Sequence, residues 1–282
     1  MAQSPAADTR SPETHMHRFF VSPTAIQANQ VTLSGPVAHQ IARVLRLRAG
    51  QQIVVLDDSG WQHTVVLQAV NPEEVRGRTV QRERATGEPR TQITLYQAVL
   101  KGERFEWVLQ KGTELGIAAF VPLLCERNVV RDPAAAQRRE KRWRTIIREA
   151  AEQSRRGRLP RLEQPLPFAA ACRQAMAEEG LALLAWEGEM ATGLRQALQE
   201  QVGVGGDQHA SPTVQAPDRP GRPPFSSIHL LVGPEGGFTA EEVELARTHS
   251  IRPITLGHRI LRAETAGIVA AAAILYESGD LG

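Results

Sequence analysis

The sequence predicts an α/β protein, with a small N-terminal β-barrel followed by a larger domain built on a parallel sheet. Three observations carry this expectation. Short apolar stretches broken by Gly, Pro and Asp fill residues 17–84. From Thr91 onward, continuous apolar runs alternate with segments of helical period. The length, 282 residues, favours two domains over one.

Taken in order, residues 1–16 are rich in Ala, Ser, Pro and Thr without periodicity, which predicts a disordered tail. "HRFFV" opens the first domain. "QQIVVLDDSG" runs into "WQHTVVLQAV", with Asp57 to Gly60 as the turn between two strands. "VRGRTVQRER" adds a strand, and "VAHQIARVL" a short helix. Residues 85–90, "ATGEPR", read as a linker to the second domain, 91–282. There "QITLYQAVL", "AAFVPLLCE", "LALLAWEG", "IHLLVG" and "PITLG" read as strands buried on both faces, as a parallel sheet requires. Phe105, Val108, Leu109 and Leu115 mark one helix. Trp143, Ile146, Ile147, Ala150 and Ala151 mark another at helical spacing. "TAEE" from Thr239 is a capping box with Glu242 at its third helical position. Residues 202–224 are dominated by Gly, Pro and polar residues and predict a flexible insertion.

The composition is that of an ordinary globular chain, with 41% apolar and 23% charged residues. Net charge is only +2, so total charge says little about partners. Cys125 and Cys172 belong to no CxxC pair, so neither a disulfide framework nor a zinc site follows. A reducing cytosol is the simplest compartment. The N-terminal segment has no apolar core of a secretory signal. The longest apolar run, near Ala266 to Tyr276, is shorter than the roughly 20 residues needed to span a bilayer. No membrane partner and no metal are expected.

Two C-terminal segments carry chemistry. In "LLVGPEGGF" a buried strand ends at Gly233, Pro234 fixes a turn, and Gly236 and Gly237 withdraw side chains before a capped helix. Such a turn lets a ligand approach the backbone and aims N–H groups at it. It is neither GxGxxG nor a P-loop, which suits a nucleotide-like ligand without phosphates. In "ITLGHRILRAETAGIVAAAAIL" a strand ends at Gly257, and a polar loop with Arg259, Arg262 and Glu264 leads into an Ala-rich helix. Small residues along that helix allow close packing against another helix or subunit. Glu264 in the first turn suits the helix dipole even without a ligand, and Arg262 could be a plain surface charge. Upstream, Arg131 to Arg161 holds eleven basic residues against four acids, a local +7. Such asymmetry is a footprint for a polyanion, or else a solvated helix face. Arg18, Arg43, Arg46 and Arg48 form a second basic group beside Phe19 and Phe20.

"LLVGPEGG" followed by "LGHRILRAETA" resembles the 16S rRNA uridine-N3 methyltransferase family of the SPOUT superfamily. "HQIARVLRLRAGQ", "KGERFEWVLQKGTELGIAAFVPLLCERNVV" and "RWRTIIREAAEQSRRGRLPRL" agree in order, so the likeness runs over residues 17–276. The resemblance implies a PUA-like N-terminal barrel and a catalytic domain with a deep trefoil knot. It implies S-adenosylmethionine as cofactor, a homodimer, and a uridine of 16S rRNA in the assembled small subunit as substrate. With the two glycine-bearing strand ends, it assigns the cofactor to Leu231, Gly233, Pro234, Glu235, Gly236, Gly237, Leu256, Gly257, Ile260, Leu261, Arg262, Thr265 and Ala266. RNA falls to Arg18, Arg43, Arg46, Arg138, Arg139, Arg142 and Arg155. Candidates for moving the uracil proton or stabilising its anion are Arg262, Glu264, Glu149, Gln153 and Arg156. A ribose 2′-O-methyltransferase of the same fold is the nearest alternative, told apart by the nucleoside that is methylated. A non-catalytic ribosome-assembly factor is another, told apart by titration with the cofactor.

Overall fold

A computed structural model of the chain describes residues 16–129, 133–204 and 226–281. The expected tail and the expected 202–224 insertion lie almost wholly outside them. Two compact units meet in the chain at Ala85 and Thr86.

The first unit is one sheet of six strands: β1 (Arg18–Phe20), β2 (Ile26–Gln27), β3 (Gln30–Ser34), β4 (Gln52–Leu56), β5 (Trp61–Val70) and β6 (Glu74–Arg84). They run in the order β1-β4-β5-β6-β3-β2, antiparallel except for β1 against β4. Where a closed barrel was expected, the sheet is open: β1 and β2 end it, and their three and two residues offer little backbone to ladder. At the β4–β5 turn Ser59 N–H donates to Asp57 Oδ1 at 3.0 Å. Asp58 and Gly60 there take positive φ of 64° and 89°. α1 (Pro36–His39), continued by a π-turn, buries Ala38 and Ile41 on the face formed by Phe19, Leu33, Ile53 and Leu67.

The second unit runs β7 (Gln92–Ala98), α2 (Arg104–Leu115), β8 (Ala119–Leu124), α3 (Pro133–Gln153), β9 (Arg161–Leu162), β10 (Leu166–Pro167), α4 (Phe168–Ala177), β11 (Leu181–Ala185), α5 (Leu194–Val204), β12 (Ser227–Val232), α6 (Ala240–Thr248), β13 (Arg252–Ile254) and α7 (Ala263–Glu277). The strands lie in the order β10-β8-β7-β12-β11-β13, with β9 beside β8, and every pairing is parallel. Residues of α2, α3, α5 and α7 cover one face, and α4 and α6 the other. This explains why the strands read as unbroken apolar runs: both faces need side chains that shed water. Phe105 on α2 meets Trp143 on α3 with ring centroids 4.6 Å apart. α6 starts with the expected capping box of Thr239 and Glu242. Glu242 also accepts from Glu126 N–H at 2.8 Å, tying the helix to the chain after β8. No helix among the described residues is long and apolar enough to cross a membrane.

After β13, at the sheet edge, the chain returns to the middle, where α7 packs on β7, β12 and α2. A Cβ at Gly267 would stand 2.9 Å from Gln97 Oε1 and 3.4 Å from Leu95. A side chain there would press on the Gln97 amide. The small residues of α7 thus face the chain's own sheet: Ala270 and Ala271 are fully buried within it.

Two carboxylates fasten the start of this unit. Residues 86–90 are part of it, and Glu88 meets Arg156 through two N–H groups at 2.9 and 3.2 Å. Gly157 and Arg158 N–H also donate to Glu88, at 3.0 and 3.1 Å. Asp280, beyond α7, accepts from Arg90 N–H, Arg90 Nε and Thr91 N–H at 3.1, 3.1 and 2.9 Å. Burial pushes the Asp280 carboxyl up, but the hydrogen bonds from Thr91 and Arg90 outweigh it and hold its pKa at about 2. Its stabilisation is present above the ordinary aspartate pKa, about 4, and is lost as pH falls through 2. Asp280→Asn should lower stability to urea by about 2 kcal/mol at pH 7. The gap from the parent should close between about pH 4 and 2. A gap that persists at pH 2 would reject this account.

Candidate active site

In a parallel α/β sheet ligands bind beyond the carboxyl ends of the strands. Here β12, β11 and β13 are neighbours, and the loops leaving them are residues 233–239, 186–193 and 255–262. The second and third are laced together. Trp186 N–H donates to Ile254 O at 3.0 Å, Thr255 N–H to Thr192 O at 2.8 Å and Leu194 N–H to Thr255 O at 3.2 Å. Glu189 stiffens its loop by accepting from Ala191 and Thr192 N–H at 2.8 and 3.1 Å, bonds that hold its carboxyl below the usual range. Between these loops lies a pocket of about 390 Å³, within the range of small-molecule sites.

Leu256, Gly257, Ile260, Leu261 and Ala266 line it, as expected. Trp186, Glu187, Met190 and Gly193 line it as well, and the sequence reading missed them. "LALLAWEG" was read only as a strand, although the Trp-Glu-Gly at its end sits where a parallel strand presents ligand-binding groups. Leu231 does not reach the pocket: its side chain is buried on the α4 and α6 face. The glycine-rich turn stands one layer back. Gly237 has φ +69° and lies so close to Glu187 that any Cβ would collide with the carboxylate. Gly236 O accepts from Arg127 at 3.0 Å, and Gly233 faces Phe238. Glu235 accepts from Lys101 N–H at 3.2 Å and from Arg104 at 3.3 Å, turned away from the pocket.

Beside the pocket runs an open groove of about 950 Å³ between α2, α3 and the start of α7. Arg262, Glu264 and Thr265 line it, so the two cavities meet across residues 261–266. Arg262 caps α7, and its side chain is 79% exposed. Glu264 is largely buried. Its Oε1 lies 3.8 Å from Arg104 and 4.0 Å from Arg262, while its buried Oε2 has no hydrogen-bond partner among the described residues. Arg104 thereby links the glycine-rich turn, through Glu235, to Glu264.

The other expected residues are placed differently. Arg156 is buried at 2% exposure. Besides Glu88, it donates to Thr113 O and Ile117 O at 3.3 and 2.6 Å. Its donors are spent on the fold, so it is withdrawn from the catalytic candidates. Glu149 and Gln153 are exposed one and two turns beyond Ile146, on the α3 face that borders the groove, and line neither cavity. Much of the +7 segment is compensated internally. Arg139 and Arg142 both bind the buried Glu106, each at 2.8 Å, and Arg144 binds Glu140 at 2.8 Å. Arg138, Arg155, Arg43 and Arg46 are exposed, and Arg18 donates to Gln62 at 2.7 Å. Among the described residues no three His, Cys, Asp or Glu side chains converge as a metal site.

The sequence pattern of the RNA methyltransferase domain matches residues 87–275. A ribosomal RNA small subunit methyltransferase E from Bacillus subtilis is 31% identical over 267 residues, covering 93% of this chain and 97% of that protein. One from Synechocystis is 36% identical over 260 residues, covering 92% and 77%. Among solved structures, the Neisseria gonorrhoeae ribosomal RNA small subunit methyltransferase E bound to S-adenosylmethionine superposes with a TM-score of 0.75 at 29% identity, covering 93% and 98%. A methyltransferase from Legionella pneumophila with bound S-adenosylmethionine gives 0.75 at 30%, with the same coverage. Parallel sheet, strand-end pocket and domain match together define an RNA methyltransferase. Within that class, the chain belongs to the ribosomal RNA small subunit methyltransferase E family.

The contrast between Arg156 and Glu149 is measurable. Arg156→Ala strands Glu88 and should cost about 3–5 kcal/mol in urea unfolding. Glu149→Ala, on an exposed helix face, should stay within about 0.5 kcal/mol of the parent. Equal effects would mean that the buried pair does not hold the fold.

Proposed function

We propose that this chain transfers a methyl group from S-adenosylmethionine to N3 of a uridine in 16S rRNA, on the small ribosomal subunit in the cytoplasm. One observation supports it above the rest: Leu261 and Ala266 line the pocket while Arg262, Glu264 and Thr265 between them line the groove, so a small ligand and a base would be brought together beside Arg262 and Glu264. The pocket suits this cofactor. Its wall is mostly backbone and apolar side chain, with Arg259 as the one permanent cation in the lining. Glu187 is the one carboxylate there, suited to ribose hydroxyls or an ammonium group. Leu256, Gly257, Ile260, Leu261 and Ala266 would hold the adenosine by backbone and apolar contact. Gly237 would act through Glu187, whose position it permits. When bound, the cofactor supplies an activated methyl group on a sulfonium.

The chain's own residues must then prepare N3. A neutral uracil carries a proton there and is a weak nucleophile. Losing it leaves charge on N3, O2 and O4. Arg262 is permanently cationic and open to the groove, so it would neutralise the uracil oxygens. Glu264 lines the groove with one oxygen near two guanidinium groups, and its carboxylate would take the proton. Arg104 would hold Glu264 in place.

The resemblance also carries a knot, a PUA-like first domain and a homodimer. The return of α7 from the sheet edge to its middle supports the knot; a PUA-like first domain would here keep its six-stranded sheet open instead of closing it into a barrel. Since the small residues of α7 face inward, a partner subunit would use its outer face, where Val269 and Tyr276 are exposed. Val269→Glu should convert dimers to monomers in sedimentation. A chain that is monomeric without the mutation removes the homodimer.

Mapping methylated nucleosides in 16S rRNA from a strain lacking the protein tests the reaction: loss of N3-methyluridine supports it, and loss of a 2′-O-methyl group overturns it. In single-turnover assays Arg262→Ala should slow transfer by about 10²–10³. Glu264→Gln should lose most activity at neutral pH and recover as hydroxide deprotonates the base. An unshifted pH profile would leave Glu264 with a structural role only.

A further inference from the structure

The groove holds a feature that the proposed chemistry leaves unused. Trp107, on the outer side of α2, is 42% exposed, while the chain's largest buried ring, Trp143, is 1% exposed. Helical spacing explains the difference: Phe105, Val108, Leu109 and Gly112 take the inward face, and Arg104, Trp107 and Gln110 share the outward one. A water-exposed indole contributes little to the core, so packing does not account for this residue. Its surroundings are of mixed charge: Lys101, Arg104, Arg142 and Arg262 line the same groove, with Glu103, Glu106 and Glu264 between them. Arg142 is fixed there by its 2.8 Å pair with Glu106, and Arg104 is flanked by Glu235 and Glu264.

An exposed aromatic face amid fixed guanidinium groups, open to solvent and next to a small-molecule pocket, matches the chemistry of an unpaired nucleobase with its phosphates. The groove's volume of about 950 Å³ leaves room for a nucleotide drawn out of its stack. We propose that Trp107 is the stacking platform for an unstacked base of the RNA substrate, with Arg104 and Arg142 beside it for the flanking phosphates. The proposal rests on the RNA-methyltransferase reading and deepens it. Trp107 would act before the chemical step, by holding the base at the mouth of the pocket where Arg262 and Glu264 stand. It is a positioning residue and transfers no proton.

Steady-state methyl transfer to small subunits from a strain lacking the protein tests this, with calorimetric titration of S-adenosylmethionine and sedimentation run on each variant. Trp107→Ala should raise KM for the subunit about 10-fold or more, the range measured for loss of base stacking. kcat at saturation, cofactor affinity and oligomeric state should stay near those of the parent. Trp107→Phe should recover most of the loss, because any aromatic face stacks a base. Trp107→Leu, equally apolar, should not. Recovery by Leu as well as Phe would make Trp107 an apolar contact and overturn the proposal. So would an unchanged KM in Trp107→Ala, or a change of oligomeric state that tracks the loss. Failure of the parent to methylate any small subunit would instead refute the underlying reading, so the two outcomes are distinct.

Discussion

The packing of α7 on β7 places the candidate site, and Gly267 lies at that contact. With no Cβ, α7 lies directly on Leu95 and Gln97. Its first turn then brings Glu264 and Thr265 to the groove and Ala266 to the pocket. Close packing of this kind is specific because interiors tolerate neither overlap nor voids. It also buries the polar amide of Gln97 without a hydrogen-bond partner among the described residues, which normally costs stability. Placement of α7 has been kept despite that cost.

What was legible in the sequence follows from which forces act locally. Both faces of the second sheet are covered, so its long strands stood out as runs such as "IHLLVG". β9 and β10, with two residues each, carry no periodic signal, and only pairing with β8 makes them strands. The capping box at Thr239 was readable because donor and acceptor lie three residues apart. Arg156 was misjudged for the opposite reason. Its partners, Glu88, Thr113 and Ile117, are distant in the chain, and nothing near Arg156 signals burial. Glu187 escaped notice because the turn it faces, at Gly237, is fifty positions on.

The same limit governs charge. Counting residues 131–161 gives a strongly basic segment, yet charge counted along a helix ignores the helix beside it. Glu106 on α2 is largely buried and takes two of those arginines at once. A carboxylate in that position needs cations, since an unpaired buried charge is costly. Arg139 and Arg142 therefore serve the α2–α3 contact first. Any role toward RNA falls to the faces they still expose, as with Arg142 at the groove.

The site also has a place in time. α7 follows every other described element in chain order, and neither cavity is complete without it. While the chain is being made, the sheet and its covering helices emerge and can pack before the last helix is available. Over that interval the pocket lacks only Ala266 of its lining, while the groove lacks the wall that Glu264 and Thr265 supply. The groove is therefore the last part of the site to form, when α7 settles on β7.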